Sequence, residues 1–196
     1  MTWVVVLLKD FAGAKTRLAA ALGPAARSEL ARRNAELALA AAAAGDHVLA
    51  VASGPEAAAL AAERGVEVLL EEAPAGQNPA AAAGLVYAAA QGARAVLLLS
   101  SDLPLVGPST VAAMLARGAR LPAPAVLAAP ATGRGGTNAL YLRPPDACAL
   151  HFGDESLRKF EAEARRRGAS FELFESAELA LDLDEPSDLE LLQGVS

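Results

Sequence analysis

Asp102 lies in the stretch Ala95-Val-Leu-Leu-Leu-Ser-Ser-Asp-Leu-Pro-Leu105, in which an unbroken apolar run gives way to two serines, a carboxylate and a proline. Two more carboxylates, Asp182 and Asp184, alternate with leucines in Leu181-Asp-Leu-Asp-Glu-Pro186. A basic loop, Lys9-Asp-Phe-Ala-Gly-Ala-Lys-Thr-Arg17, follows the first apolar run. Hard cations such as Mg2+ are held by one or two carboxylates together with substrate phosphates. Carboxylates from separate segments can share metal ions that bridge both reactants. Lys15 and Arg17 are the residue types that offset a triphosphate. Each part also has a plainer reading. Asp102 could cap the turn at Pro104, Lys15 and Arg17 could be a solvated helix start, and the aspartate pair could punctuate the chain before Pro186. Their coincidence in one chain favours polyphosphate chemistry over three separate accidents.

Those side chains need a scaffold. Val96–Leu99 is apolar without alternation, as in a central parallel strand covered by helices on both faces. A carboxylate cannot stay in that dry interior, so Asp102 is expected at the strand's carboxyl end, where open α/β sheets bind ligands. Trp3–Leu8, His47–Ala52 and Val66–Leu70 read as further strands. Between them lie helices from Pro24 towards Gly45 and over Pro55–Arg64, the first with proline at its opening position. Helix Ala80–Gln91, with Asn78 as its expected cap, precedes the central strand, and Pro108–Arg117 follows it. This is the βαβ rhythm of a parallel sheet. It breaks after strand Ala125–Ala129, where the glycine-rich turn 132–136 leads directly into strand Thr137–Leu142, an expected antiparallel insertion. Phe152-Gly-Asp-Glu-Ser156 opens a charged helix ending at Gly168, and Phe171–Glu175 is another strand. The alternation in 179–184 reads as strand-like and sends Asp182 and Asp184 to one face. A helix over Ser187–Gln193 follows. The expected fold is α/β, a Rossmann-like three-layer sandwich with a mostly parallel sheet and an antiparallel insertion, in one domain over 1–196.

Composition narrows the function classes. Over 196 residues, 54% are hydrophobic but only 4% aromatic, so the core is built from small and branched side chains. A net charge of −6 disfavours an extended nucleic-acid footprint. One cysteine, Cys148, excludes an internal disulfide, and two isolated histidines exclude the usual zinc spacings. Cys148 reads as a small buried hydrophobe. No apolar stretch approaches the ~18–20 residues of a membrane span. A cytoplasmic protein is expected. An exposed alanine-rich helix face leaves room for a homodimer, although alanine also simply favours helix. Gly13-Ala-Lys-Thr16 lacks the upstream glycine and the Gly-Lys step of a P-loop, and the glycines of 133–136 precede a strand rather than join strand to helix, so neither is a nucleotide fingerprint.

Lys15-Thr-Arg-Leu18, Ser101-Asp-Leu-Pro-Leu105, Gly136-Thr-Asn-Ala-Leu140, Phe152-Gly-Asp-Glu-Ser156 and Leu181-Asp-Leu-Asp-Glu-Pro186, in this order, resemble the 2-phospholactate guanylyltransferases, a CofC-type family some of whose members use phosphoenolpyruvate. The resemblance spans essentially the whole chain. Asp-Leu-Pro alone is shared with many nucleotidyltransferases, whereas Gly-Thr-Asn followed by Phe-Gly-x-x-Ser is more specific. The resemblance implies the nucleotide-diphospho-sugar transferase type of fold and transfer of GMP from GTP in coenzyme F-420 biosynthesis. It implies Asp102, Asp182 and Asp184 as Mg2+ ligands, and Thr137, Gly153 and Ser156 as holders of the three-carbon acid's carboxylate. The last role suits a helix start, where N–H groups and the dipole favour an anion. Loop Lys9–Arg17, with Gly13, would surround the triphosphate, Lys15 and Arg17 acting catalytically, and Pro74, Gly76 and Asn78 would face the guanine. Gly76-Gln-Asn78 departs from the family's usual Gly-Leu-Asn, and Leu8-Lys9 from Pro-Val-Lys. Rival readings are the same transfer to a molybdopterin or sugar phosphate, and a nucleotide-binding domain without turnover.

Overall fold

A computed structural model of the chain describes residues 1–11, 14–133 and 135–194, with side chains described to residue 192. Seven strands form one sheet in the order β3-β2-β1-β4-β6-β5-β7. They are β1 (Thr2–Leu8), β2 (His47–Ala52), β3 (Glu67–Leu70), β4 (Ala95–Ser100), β5 (Ala125–Pro130), β6 (Thr137–Arg143) and β7 (Ser170–Leu173). Only β6 runs against its neighbours β4 and β5, which is the expected antiparallel insertion.

The helices are α1 (Pro24–Ala42), α2 (Pro55–Glu63), α3 (Gln77–Ala90), α4 (Pro108–Arg120), α5 (Ser156–Arg166), α6 (Ala177–Ala180) and α7 (Pro186–Gly194), with a 3-10 turn at Thr16–Ala20. Alternate residues of the central strands feed two cores. Val4, Val6, Leu8, Leu97 and Leu99 pack with α1, α2 and α4, and Val5, Leu7, Val96 and Leu98 pack with α3 and α5. Both faces of β1 and β4 are therefore dry, which is why those strands show no polar alternation.

The chain leaves β1 for β2 on one side, and β4 lies on the other. That reversal of strand order opens a crevice at the carboxyl ends of β1 and β4. Antiparallel β6 brings its first residues, Thr137 and Asn138, to the same end.

Three boundaries differ from expectation in ways that matter. Helix α1 stops at Ala42, short of Gly45. Helix α3 begins at Gln77, three residues early, because Pro79 falls in its first turn where no N–H is needed, and its cap position is Gly76 at φ 105°. Asn78 is therefore not the cap. The segment 179–184 is not a strand. It finishes the short α6 and then runs unpaired, though its burial still alternates, with Leu181 and Leu183 inward. One backbone bond, from Leu183 N–H to the Asp102 carbonyl at 3.1 Å, ties it to the end of β4. So the period-of-two argument for Asp182 and Asp184 stands without a ladder.

Helix α3 sits unusually close to the sheet. A Cβ at Gly84 would lie 2.6 Å from Val5 Cγ1 and 3.1 Å from Val51 Cγ2. In an open helix Gly→Ala gains about 1 kcal/mol, but overpacking against buried β-branched side chains costs about 1–3 kcal/mol. Gly84→Ala is expected to destabilise by about 1 kcal/mol, read as a lower urea midpoint with an unchanged m-value. A raised midpoint would show that the approach of α3 is not constrained there.

Candidate active site

Asp102 is the centre of the crevice. It is 6% exposed, just beyond β4, with Ser100 Oγ donating to its Oδ1 at 2.6 Å. Its Oδ2 accepts from Lys15 Nζ at 3.0 Å and from Lys9 Nζ at 3.3 Å. Burial alone would push its pKa up. The ammonium groups of Lys15 and Lys9, with the Ser100 hydroxyl, outweigh that and hold it well below the usual carboxylate range. Lys9 is raised in turn, chiefly by the charge of Asp102 and against the opposing effect of burial.

Lys15 also reaches across to Asp184, whose Oδ1 lies 3.3 Å from Nζ. Asp184 is positioned by Asp188, whose Oδ2 accepts from the backbone N–H groups of Asp184 and Glu185 at 2.8 and 2.7 Å. Asp182 is reached by Asn138, which donates to the Leu179 carbonyl at 2.9 Å and lies 3.4 Å from Asp182 Oδ1. Asn138 enters the sequence reading only as part of the Gly-Thr-Asn motif, with no role of its own, and Asp188 does not enter it. A polar side chain early in an otherwise apolar strand was the signal for the first, and an aspartate in the first turn of a helix for the second.

Two cavities meet at Lys9, Gln77 and Ser100. One, of about 220 Å³, is a mostly apolar slot between Leu7, Val51, Ala80, Pro74 and Gly76, with Ser53 and Glu71 also in its lining. The other, of about 170 Å³, is a polar basin that takes in Asp102, Asp182, Asp184, Arg17, Thr137 and Gly153. The expected site residues thus largely converge. Pro74 and Gly76 line the slot. Lys9, Arg17, Thr137, Gly153 and the three aspartates line the basin, and Lys15 lines an adjoining pocket that shares Lys9, Asp102 and Asp184 with it. Gly13 falls outside the described residues.

Two expected contacts have different roles. The Asn78 amide is engaged on both sides by Phe152, its Nδ2 donating to the Phe152 carbonyl at 2.9 Å and its Oδ1 accepting from the Phe152 N–H at 2.8 Å. It ties the loop before α5 to the start of α3 instead of facing the slot. Ser156 is fully buried behind Thr137, to whose Oγ1 its hydroxyl donates at 3.0 Å. The N–H groups of Ser156 and Leu157 already bond to the carbonyls of Gly153 and Gly135, so the helix start offers less to an anion than its position suggested. Gly153 itself holds φ 116° at the edge of the basin.

The donor set suits a hard divalent cation. Among the described residues no three His, Cys, Asp or Glu side chains converge as a ready-made cage. However, Asp102 and Asp184 both turn an oxygen to a single cationic centre, the Lys15 ammonium, which stands where a shared positive charge is favoured. One or two carboxylates are enough to hold Mg2+ when substrate phosphates complete its shell.

A mostly parallel three-layer sheet with a polar crevice at its switch point is the nucleotidyltransferase type of fold, and a nucleotide-diphospho-sugar-transferase-like structure from Desulfovibrio desulfuricans G20 superimposes with a TM-score of 0.77 at 17% identity, covering 97% of this chain and 85% of that one. Sequence narrows the class. The family model described as "Guanylyl transferase CofC like" matches residues 2–194, and the chain belongs to that family. The phosphoenolpyruvate guanylyltransferase of Conexibacter woesei is 35% identical over 98% of this chain and 87% of its own length. The 2-phospho-L-lactate guanylyltransferase of Methanothermobacter thermautotrophicus is 43% identical over 48% of this chain and 40% of its own. In two other bacterial relatives the match spans about half of their length, 51% and 50%. No helix among the described residues is long and apolar enough to cross a membrane.

Proposed function

We propose that this chain transfers GMP from GTP to a small phosphorylated three-carbon acid, phosphoenolpyruvate or 2-phospho-L-lactate, with release of pyrophosphate. The observation that supports this most is the continuity of the cleft: an apolar slot suited to a flat base opens into a basin lined by a buried carboxylate, cationic side chains and the Thr137–Gly153 edge. A phosphate oxygen of the acceptor attacks the α-phosphorus of GTP, and the bond from that phosphorus to the pyrophosphate oxygen breaks. The acceptor phosphate is already a nucleophile, so the protein needs no covalent intermediate and works by positioning and charge. Lys9, Lys15 and Arg17 lie where they can offset the triphosphate and the departing pyrophosphate. Thr137, its hydroxyl oriented by Ser156, and the backbone at Gly153 orient the acceptor's carboxylate. Asp102 and Asp184, with Asp182 alongside, would hold Mg2+, which when bound neutralises phosphate charge in the transition state.

The test is an acceptor panel with GTP and Mg2+, read by mass spectrometry of the product. A guanylylated three-carbon acid is expected. Product only with a molybdopterin or sugar phosphate, or none with any acceptor despite tight GTP binding, would replace this reading. The role of Asn78 gives a second, quantitative check. Loss of its two hydrogen bonds to Phe152 costs about 1–3 kcal/mol of loop order. Asn78→Ala is therefore expected to raise KM for the acceptor about tenfold and leave KM for GTP within about twofold. An equal effect on both substrates would return Asn78 to the base slot.

A further inference from the structure

The Lys15 side chain is almost wholly buried, 6% exposed, and its ammonium lies between two carboxylates contributed by segments far apart in sequence. The backbone holds it there in the left-handed region, φ 56° and ψ 39°, a conformation an L-residue adopts only when its surroundings impose it. Asp102 Oδ2 is doubly engaged, since Lys9 approaches the same oxygen. Two ammonium groups already meet Asp102, the buried one of Lys15 and the exposed one of Lys9, so a divalent ion at the Asp102–Asp184 pair would add two further positive charges within a few ångströms of the Lys15 ammonium while it stays.

We propose that Lys15 is a displaceable internal cation. It satisfies Asp102 and Asp184 in the nucleotide-free protein, keeps divalent metal weakly bound there, and yields the pair only when a polyphosphate offers its ammonium another counter-charge. Nucleotide and metal then enter together, each improving the other's affinity by the same factor. This rests on the assignment of Asp102 and Asp184 as metal ligands.

The experiment is Mn2+ binding to the full chain without nucleotide, followed by the electron paramagnetic resonance signal of the free ion. Lys15→Gln is expected to bind Mn2+ at least about tenfold more tightly than the unmodified protein, the equivalent of about 1.4 kcal/mol. Lys15→Arg, which keeps the charge, is expected to remain weak. Lys15→Met serves if the glutamine variant fails to fold, with thermal unfolding as the check on both. Unchanged affinity in a folded neutral variant overturns the proposal, and so does equal tightening by arginine. Adding Asp102→Asn to Lys15→Gln separates the two readings. Loss of the gained affinity supports the pair as the site, whereas its retention places the metal elsewhere and removes the assignment on which the proposal stands.

Discussion

Asp102→Asn should lower kcat by about 10³-fold, or about 4 kcal/mol of transition-state stabilisation, while leaving the protein folded. The substitution is nearly isosteric and removes one negative charge from the point where Lys9, Lys15 and Asp184 meet. Removing one partner of a fully buried pair can cost about 3–5 kcal/mol of stability because the other charge is stranded. That penalty is reduced here, since Lys15 keeps Asp184 at 3.3 Å and Lys9, whose side chain is 66% exposed, can rehydrate. The backbone bond from Leu183 to Asp102 uses the carbonyl, which asparagine retains, so the segment carrying Asp182 and Asp184 keeps its place. Loss of charge at the reacting centre is therefore the larger effect. Pyrophosphate release from GTP plus acceptor at saturating Mg2+ measures it, with the thermal midpoint as a control. A rate within tenfold of the unmodified protein would remove Asp102 from the chemistry.

What was legible in the sequence follows from how local each signal is. The uninterrupted runs of β1 and β4 announce strands covered on both faces, and the Gly23-Pro24 step marks the start of α1. The missing helix before Thr137 marked the reversed strand. Each of those depends on residues within one element. The site is a different matter. Lys15 and Asp184 are 169 residues apart, and nothing in either neighbourhood shows that one ammonium serves two carboxylates. The family resemblance makes Ser156 a ligand residue, and its place at a helix start suits that role. Its place behind Thr137 depends on how α5 packs onto β5 and β7, and no spacing encodes that. Asn78 stands just before the expected helix, where asparagine commonly caps. Tertiary context gave the cap position to Gly76 and the amide to Phe152. Alternation in 181–184 survived as alternating burial although no neighbouring strand pairs with it, because the two leucines are drawn inward whatever the backbone does. Residue types at the site were thus readable one by one, and the wiring between them was not.

Gly153→Ala tests that wiring at the acceptor side, through backbone conformation alone. At φ 116° this residue occupies a region that L side chains avoid, yet a Cβ built there meets nothing within 4 Å. No clash obscures the result, and the cost is conformational, about 1–3 kcal/mol. The chain cannot shed the strain by moving as a whole. Phe152 is pinned on one side by Asn78, and the Ser156 N–H is anchored to the Gly153 carbonyl on the other. The strain must therefore fall within residues 153–155, at the rim of the polar basin. KM for the acceptor is expected to rise about 10–100-fold, which corresponds to about 1.4–2.7 kcal/mol of lost binding. KM for GTP should stay within about twofold, because the slot's walls come from β1, β2 and the start of α3. In a chain of this size each kcal/mol of strain should also lower the thermal midpoint by about 2–4 °C. A lowered midpoint with unchanged acceptor KM would mean that the loop is strained for the sake of α5 alone and that the three-carbon acid binds elsewhere.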